Sequence, residues 1–132
     1  MRKILDSVKT LISLEAGVYT TDTAGQQYVD TKGYRDGALV VPAGAITGTG
    51  TDAYTVTLFE GDTTASMATT GITVTFTGTG SQAKTVRSAR IADLNVTRKR
   101  YLQARLTASA TTVSFAGCAV IELGSAASEP VN

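Results

Sequence analysis

The sequence contains no histidine, no tryptophan and a single cysteine, and each shortage removes a class of function. Without histidine, Ser-His-Asp and Cys-His mechanisms lack their general base, and most catalytic zinc sites lack their ligands. One cysteine forms no disulfide within the chain. Cys118 lies in the apolar run FAGCAVIEL, a setting for a buried structural thiol, whereas a nucleophilic thiol needs electropositive, partly exposed surroundings. Aromatic residues make up only 6% of the chain, so the core must come mainly from Val, Ile, Leu and Ala. No apolar run approaches membrane-spanning length. The opening MRKILDSVKTLISL starts as a signal peptide does, but Asp6 and Lys9 interrupt its apolar stretch. These features predict a soluble protein made in a cytoplasm, with no membrane partner. The net charge of +1 creates no global field that would favour nucleic acid.

What is present is a strand-forming composition. Threonine is the commonest residue and glycine numbers 13 among 132 residues, which suits β-branched strands separated by many turns. Strand candidates follow one another along the chain: Val8–Leu14, Val18–Thr21, Gln27–Asp30, Ala38–Pro42, Tyr54–Glu60, Ile72–Thr77, Tyr101–Thr107 and Ser114–Leu123. TGITVTFTGTG alternates most cleanly, with Ile72, Val74 and Phe76 on one face and Thr73, Thr75 and Thr77 on the other. YTVTLFE repeats the pattern with Tyr54, Val56 and Leu58. YLQARLT sends Leu102, Ala104 and Leu106 inward and Tyr101, Gln103 and Arg105 outward. Ala38, Leu39, Val40 and Val41 read as one buried run, and the last strand is apolar on both faces, as a central strand would be. Regular short strands predict an all-β fold, a single antiparallel β-sandwich of jelly-roll or Ig-like type. Its core is expected to include Ile72, Val74, Phe76, Leu102, Leu106, Ile121 and Leu123. The length fits one domain over 1–132, with an N-terminal arm over 1–16, the sandwich over 17–124 and a C-terminal tail over 125–132. Residues 81–95, SQAKTVRSARIADLN, fit neither template well. They read as a short helix after Ser81 or as a strand with Val86, Arg90 and Leu94 in register, with the strand preferred.

Candidate chemistry thins out on inspection. Gly48, Gly50, Ala53 and Gly78, Gly80, Ala83 match G-x-G-x-x-A, but dinucleotide binding needs a strand before that loop and a helix after it. The first match opens a strand, and the second lacks an acidic residue some 20 positions on. Gly-Thr turns explain both. Two carboxylates suffice for a glycosidase, yet Asp30, Asp36, Asp52 and Asp62 sit in turn settings, while Glu60 and Glu122 end or lie within strands. No calcium loop is spelled out, and Asn95-Val96-Thr97 is a glycosylation sequon by pattern alone. The sequence thus predicts no catalytic residue, no metal site and no cofactor. Charge is uneven, however. Lys84, Arg87, Arg90, Arg98, Lys99, Arg100 and Arg105 are opposed by one local acid, Asp93. This is either a solvated strand pair with its turn or a docking surface for an acidic partner. One aromatic, Tyr101, beside the basic turn falls short of the several stacking rings of a single-strand nucleic-acid binder.

GYRDGALVVPAGAIT, YTVTLFEGDTTASM, RYLQARLT and CAVIELG together resemble a family of small structural proteins of tailed bacteriophages, the capsid decoration or cement proteins found among head genes. The resemblance spans roughly residues 27 to 124. It is carried by Gly33-Tyr34, Gly44-Ala45, Phe59-Glu60-Gly61-Asp62, Lys99-Arg100-Tyr101 and Leu123-Gly124, and it departs in the Thr-rich 71–80 hairpin and after Gly124. It implies a non-enzymatic virion protein on the capsid surface, assembled in the host cytoplasm, that binds the outer surface of the major capsid lattice and stabilises it. Its partners would be the major capsid protein and, beside it, a homotrimer or neighbouring copies. Within that reading, the arm (Met1, Arg2, Lys3) and the basic turn (Arg98, Lys99, Arg100) are the candidate capsid contacts. The alternative is a carbohydrate-binding or tail- and fibre-associated sandwich, which a chain without Trp and with five Tyr is poorly equipped to be.

Overall fold

The computed structural model describes residues 8–47, 52–77, 85–108 and 114–126, with side chains to 124. Nine strands account for most of them: β1 (Val8–Tyr19), β2 (Thr23–Ala24), β3 (Val29–Asp30), β4 (Tyr34–Ile46), β5 (Ala53–Thr63), β6 (Ser66–Thr77), β7 (Val86–Ile91), β8 (Tyr101–Ala108) and β9 (Phe115–Ala126). There is no helix among the described residues.

All pairings between these strands are antiparallel. One sheet runs β1-β9-β4-β7 and the other β2-β8-β5-β6, with β3 continuing β2's place against β8. Except at the β5–β6 hairpin and the β2–β3 break, the chain changes sheet at every connection. This interleaving is the double Greek key of a jelly roll. An Ig-like sandwich keeps more of its consecutive strands in one sheet, so the strand order decides between the two predicted types.

The core lies between the sheets. Val74, Phe76, Leu102, Leu106, Ile121 and Leu123 are buried as expected. Tyr54, Phe76 and Phe115 form its aromatic centre, with Phe115 5.4 Å from Tyr54 and 5.5 Å from Phe76 between ring centroids. The Tyr54 hydroxyl donates to the Thr47 carbonyl at 2.9 Å, so its burial leaves no polar group unpaired. Ile72 departs from expectation and is only partly buried. It follows Gly71, whose φ of +83° accompanies a register shift between β5 and β6, and it sits on an edge strand.

Two further corrections concern which way residues face, and a third concerns what covers them. In β4 only Leu39 and Val41 of the four-residue apolar run are buried, while Ala38 and Val40 point away from the core. In β7 Ile91 is buried and Val86 and Arg90 are exposed. That settles the described part of 81–95 as strand followed by a turn, with residues 81–84 outside the described residues. Gln103 faces outward with Arg105, as expected, but is nonetheless buried, because the β2–β3 segment covers it and its amide donates to the Gly25 carbonyl at 2.7 Å.

The predicted arm over residues 1–16 is corrected for residues 8–16. They belong to β1, which pairs with β9 from Val8↔Gly124 to Tyr19↔Phe115. Residues 1–7 lie outside the described residues, as do 127–132 of the predicted tail. Ser125 and Ala126 continue β9. Irregular pairing in β1 falls around Ser13, whose hydroxyl is turned to use. It donates to the Gln27 carbonyl and accepts from the Ala104 N–H, both at 2.9 Å, and so ties the edge of one sheet to β8 of the other.

Candidate interaction surface

The basic turn does not offer free positive charge. Arg100 makes a two-point contact with Asp30 at 2.8 Å, and Arg98 lies 3.7 Å from Glu60. Lys99 lies 3.5 Å from Asp62, and its backbone N–H donates to Glu60 at 2.9 Å. Each of the three cations thus faces a carboxylate of this chain, brought from β3 or from the end of β5. Leu94, fully buried, anchors the turn, and Asp93 and Asn95 take positive φ values of 58° and 59°, which Asp and Asn tolerate best among non-glycine residues. The Asn95 amide of the sequon donates to the Thr31 and Tyr34 carbonyls, so the asparagine serves the turn. Met1, Arg2 and Lys3 lie outside the described residues.

The Arg100 contact has a pH consequence. Its hydrogen bonds, more than any other influence, lower the Asp30 carboxyl from 3.8 to about 2. A folded-state value below the unfolded one means stability that is present above the unfolded value and lost as pH falls through the folded one. Wild-type protein should therefore lose this contribution between about pH 4 and pH 2. The side chains are 43% and 44% exposed, so solvent screening keeps the effect small. Urea midpoints at the two pH values should lie closer together in Asp30→Asn than in wild type; an equal gap in both would contradict the pairing.

The two outer faces of the sandwich differ sharply. On the second sheet, rows across the strands read Thr107–Thr55–Thr75 and Arg105–Thr57–Thr73, a hydroxyl-rich surface, followed by Gln103–Phe59–Thr69, whose Gln103 end is covered. Phe59 and Tyr101 are the aromatics of that face on which a sugar ring would stack, and Arg100 lies over Tyr101, 5.0 Å from its ring centroid. The Arg105 guanidinium already lies over Phe59, 4.1 Å from the ring centroid, and is held by the Gln103 side-chain oxygen at 2.9 Å.

The outer face of the first sheet is apolar. Register places Ile12, Val120, Val40 and Ser88 in one row, with Cys118, Pro42 and Val86 in the next and Val18 beside Ala116 beyond them. Ile12 is 49% exposed, Val18 69% and Val86 66%, while the β4 and β9 members are half-buried by their neighbours. Cys118 stands in this patch rather than in the core, and partial burial pushes its thiol up from the usual value. One row toward the other end, Thr10, Glu122, Ala38 and Arg90 lie abreast. Arg90 reaches Asp36 at 3.3 Å; the Glu122 carboxylate has no hydrogen bond or ion pair among the described residues. Val8, Asp36, Ala38, Glu122 and Gly124 help line an open depression of about 170 Å³, below the size of ordinary small-molecule pockets. No group of three or more Cys, Asp or Glu is placed to hold a metal ion among the described residues. The two G-x-G stretches fall largely outside those residues, and the first leads into β5.

Sequence reasoning named the basic turn and passed over this face. The available signal is that β4 and β9 are apolar at successive positions, a pattern that reads as burial on both sides.

No family model matches the chain, and no curated protein matches it. Among solved structures it is similar to one described as Desmodium yellow mottle tymovirus, at 18% identity and a TM-score of 0.37, over 95% of this chain and 91% of that one. Similarity at that level carries no functional argument.

Proposed function

We propose that this chain is a non-enzymatic structural protein of a virion, a decoration protein that binds the outer surface of a major capsid lattice and stabilises it. The observation that carries the reading is the contiguous apolar outer face of the β1-β9-β4-β7 sheet. Contiguous apolar surface exposed on one face, as opposed to singly scattered apolar residues, is a feature of interaction surfaces, and this one lies on a rigid two-sheet scaffold. The family resemblance of residues 27 to 124 supplies the setting. Jelly rolls host many functions, capsid and lectin domains among them, so the fold alone does not choose. The covered rings of Phe59 and Tyr101 speak against the sugar-binding alternative on the second sheet.

A protein of this kind acts by mass action. It binds the assembled lattice and not the free subunits, and so stabilises the shell by its differential affinity. Many copies on a symmetric lattice add avidity to a modest single contact. The test is co-sedimentation with assembled and with unassembled capsid protein of the same virus. Binding to shells alone, with a rise in shell melting temperature, is the expected result. Absence of the chain from the shell pellet would reject the proposal.

A further inference from the structure

We infer that the edge of β6 is a pairing surface for β6 of a second copy of this chain, and that Arg87 holds it closed. β6 ends the β2-β8-β5-β6 sheet, and the bonds of neighbouring strands fix which of its backbone groups face outward. Ala104 and Ala108 turn their N–H groups away from β5, to the side chains of Ser13 and Asp22. Alternation along β8 then aims Thr107 at Thr55 and leaves Tyr54 and Val56 to bond Phe76 and Val74 of β6. Thr73, Thr75 and Thr77 therefore point their N–H and C=O groups off the sheet.

An open edge of this kind is a template for another strand. The other edges are blunted. β2 and β3 have two residues each, β1 is covered at Ser13 and Glu15 by Gln27 and Gln26, and β7 carries Arg87 and Arg90. β6 has no charge and no proline in its 12 residues. Beyond Gly71 it reads ITVTFT, uncharged and strand-forming, the composition of self-pairing segments. Its register suits a second copy. An antiparallel two-fold centred on Thr75 sets Thr75 against the partner's Thr75 and Thr73 against the partner's Thr77. Outward-pointing residues then meet outward-pointing residues, as the ladder requires. Threonine side chains face threonine on the solvated side, and the strands themselves bring no like charges together.

Arg87 closes this edge. It reaches across from β7 of the opposite sheet, lies over the Phe76 ring and donates to the Thr75 carbonyl at 2.8 Å. That carbonyl is the acceptor the partner's Thr75 N–H would use at the centre of the pair. The two-fold would also bring two guanidinium groups together at its axis, and like charges across a contact oppose association. The guard keeps free copies apart through this edge whatever the outer face of the other sheet binds. The inference thus goes beyond the lattice-binding reading and does not rest on it.

Arg87 is exposed, and Arg87→Met keeps an unbranched stem beside Phe76 while removing the charge and the donor. Sedimentation velocity of the purified chain, without capsid protein, compares this variant with wild type across a hundredfold concentration range. Arg87→Met should self-associate more tightly by about tenfold or more, and Arg87→Gln repeats the comparison with a second uncharged side chain. Thr75→Pro in the Arg87→Met background should return association to the wild-type level. Its missing N–H faces off the edge, so the change removes no bond within the sheet. A disulfide reads the arrangement. In Arg87→Met/Cys118→Ser, Thr75→Cys should oxidise to a covalent dimer, since paired Cα atoms stand about 5.5 Å apart. Thr55→Cys, one strand further in on the same face, should not. Melting temperatures measured alongside separate pairing of folded chains from association through unfolding. Arg87 variants that sediment as wild type at every concentration would overturn the inference. Association that survives Thr75→Pro, or that cross-links Thr55→Cys as readily as Thr75→Cys, would also overturn it by placing the contact elsewhere. No capsid protein takes part, so either failure leaves the shell-binding reading untouched.

Discussion

Phe76→Ala is expected to cost about 3–5 kcal/mol of folding stability, as deletion of a fully buried ring does when its surroundings cannot collapse into the space. The ring is fully buried on β6 and stacks against Phe115, which in turn contacts Tyr54. The chain has three Phe and no Trp, so this triad holds much of the bulk at the centre of a core otherwise filled by aliphatic residues. Arg87 also lies over the Phe76 ring, 5.8 Å from its centroid, and bonds the Thr75 carbonyl. The substitution would therefore loosen the seam between the two sheets as well as the core. For a domain of this size the melting temperature should fall by about 10–20 °C. A loss below about 1 kcal/mol would mean that the inward face of β6 has been assigned wrongly.

Gly25→Ala should be strongly destabilising although it lies outside the hydrophobic core. The position is buried between the sheets' edges, and a Cβ there would stand 2.6 Å from the Ala104 carbonyl and 2.8 Å from the Ser13 carbonyl. Both neighbours are backbone and cannot swing aside. The same residue donates its N–H to Ala104 at 2.7 Å and its carbonyl accepts the Gln103 amide. A methyl group forces the strands apart, costing about 1–3 kcal/mol in overpacking. It also strains a buried hydrogen-bond network, worth about a further 1–3 kcal/mol where a group is left unpaired. Chemical denaturation of the variant measures the sum. A variant within about 0.5 kcal/mol of wild type, the range of an ordinary surface substitution, would show that β1 and β8 do not approach through this residue.

Much of the β architecture was legible because period-2 alternation is a local property. Val74, Phe76, Leu102 and Leu106 announce their faces through their immediate neighbours, whatever the sheets do. Strand pairing is not local in that sense. Val56 alternates identically whether its neighbour is β6 or β8, so the interleaved jelly-roll order had no signature in any single segment. The basic turn shows the same limit for charge. Arg98, Lys99 and Arg100 looked unopposed because Asp30, Glu60 and Asp62 lie 37 or more positions away in the chain and arrive only through folding. Burial of Gln103 likewise depends on Gly25, 78 positions distant.

The sequence by itself determined that the protein is all-β, built of alternating strands around an aliphatic core with few aromatics, and that it lacks the histidine on which many catalytic mechanisms rest. Tertiary structure alone decided the jelly-roll strand order, the neutralisation of the basic turn and the location of the exposed apolar patch. The physical reason lies in β4 and β9. A strand that is apolar at Ala38, Val40, Val120 and Cys118 as well as at Leu39, Val41, Ala119 and Ile121 reads as buried on both faces. A two-layer sandwich has only one interior, so the second apolar face lies on the outside of the fold.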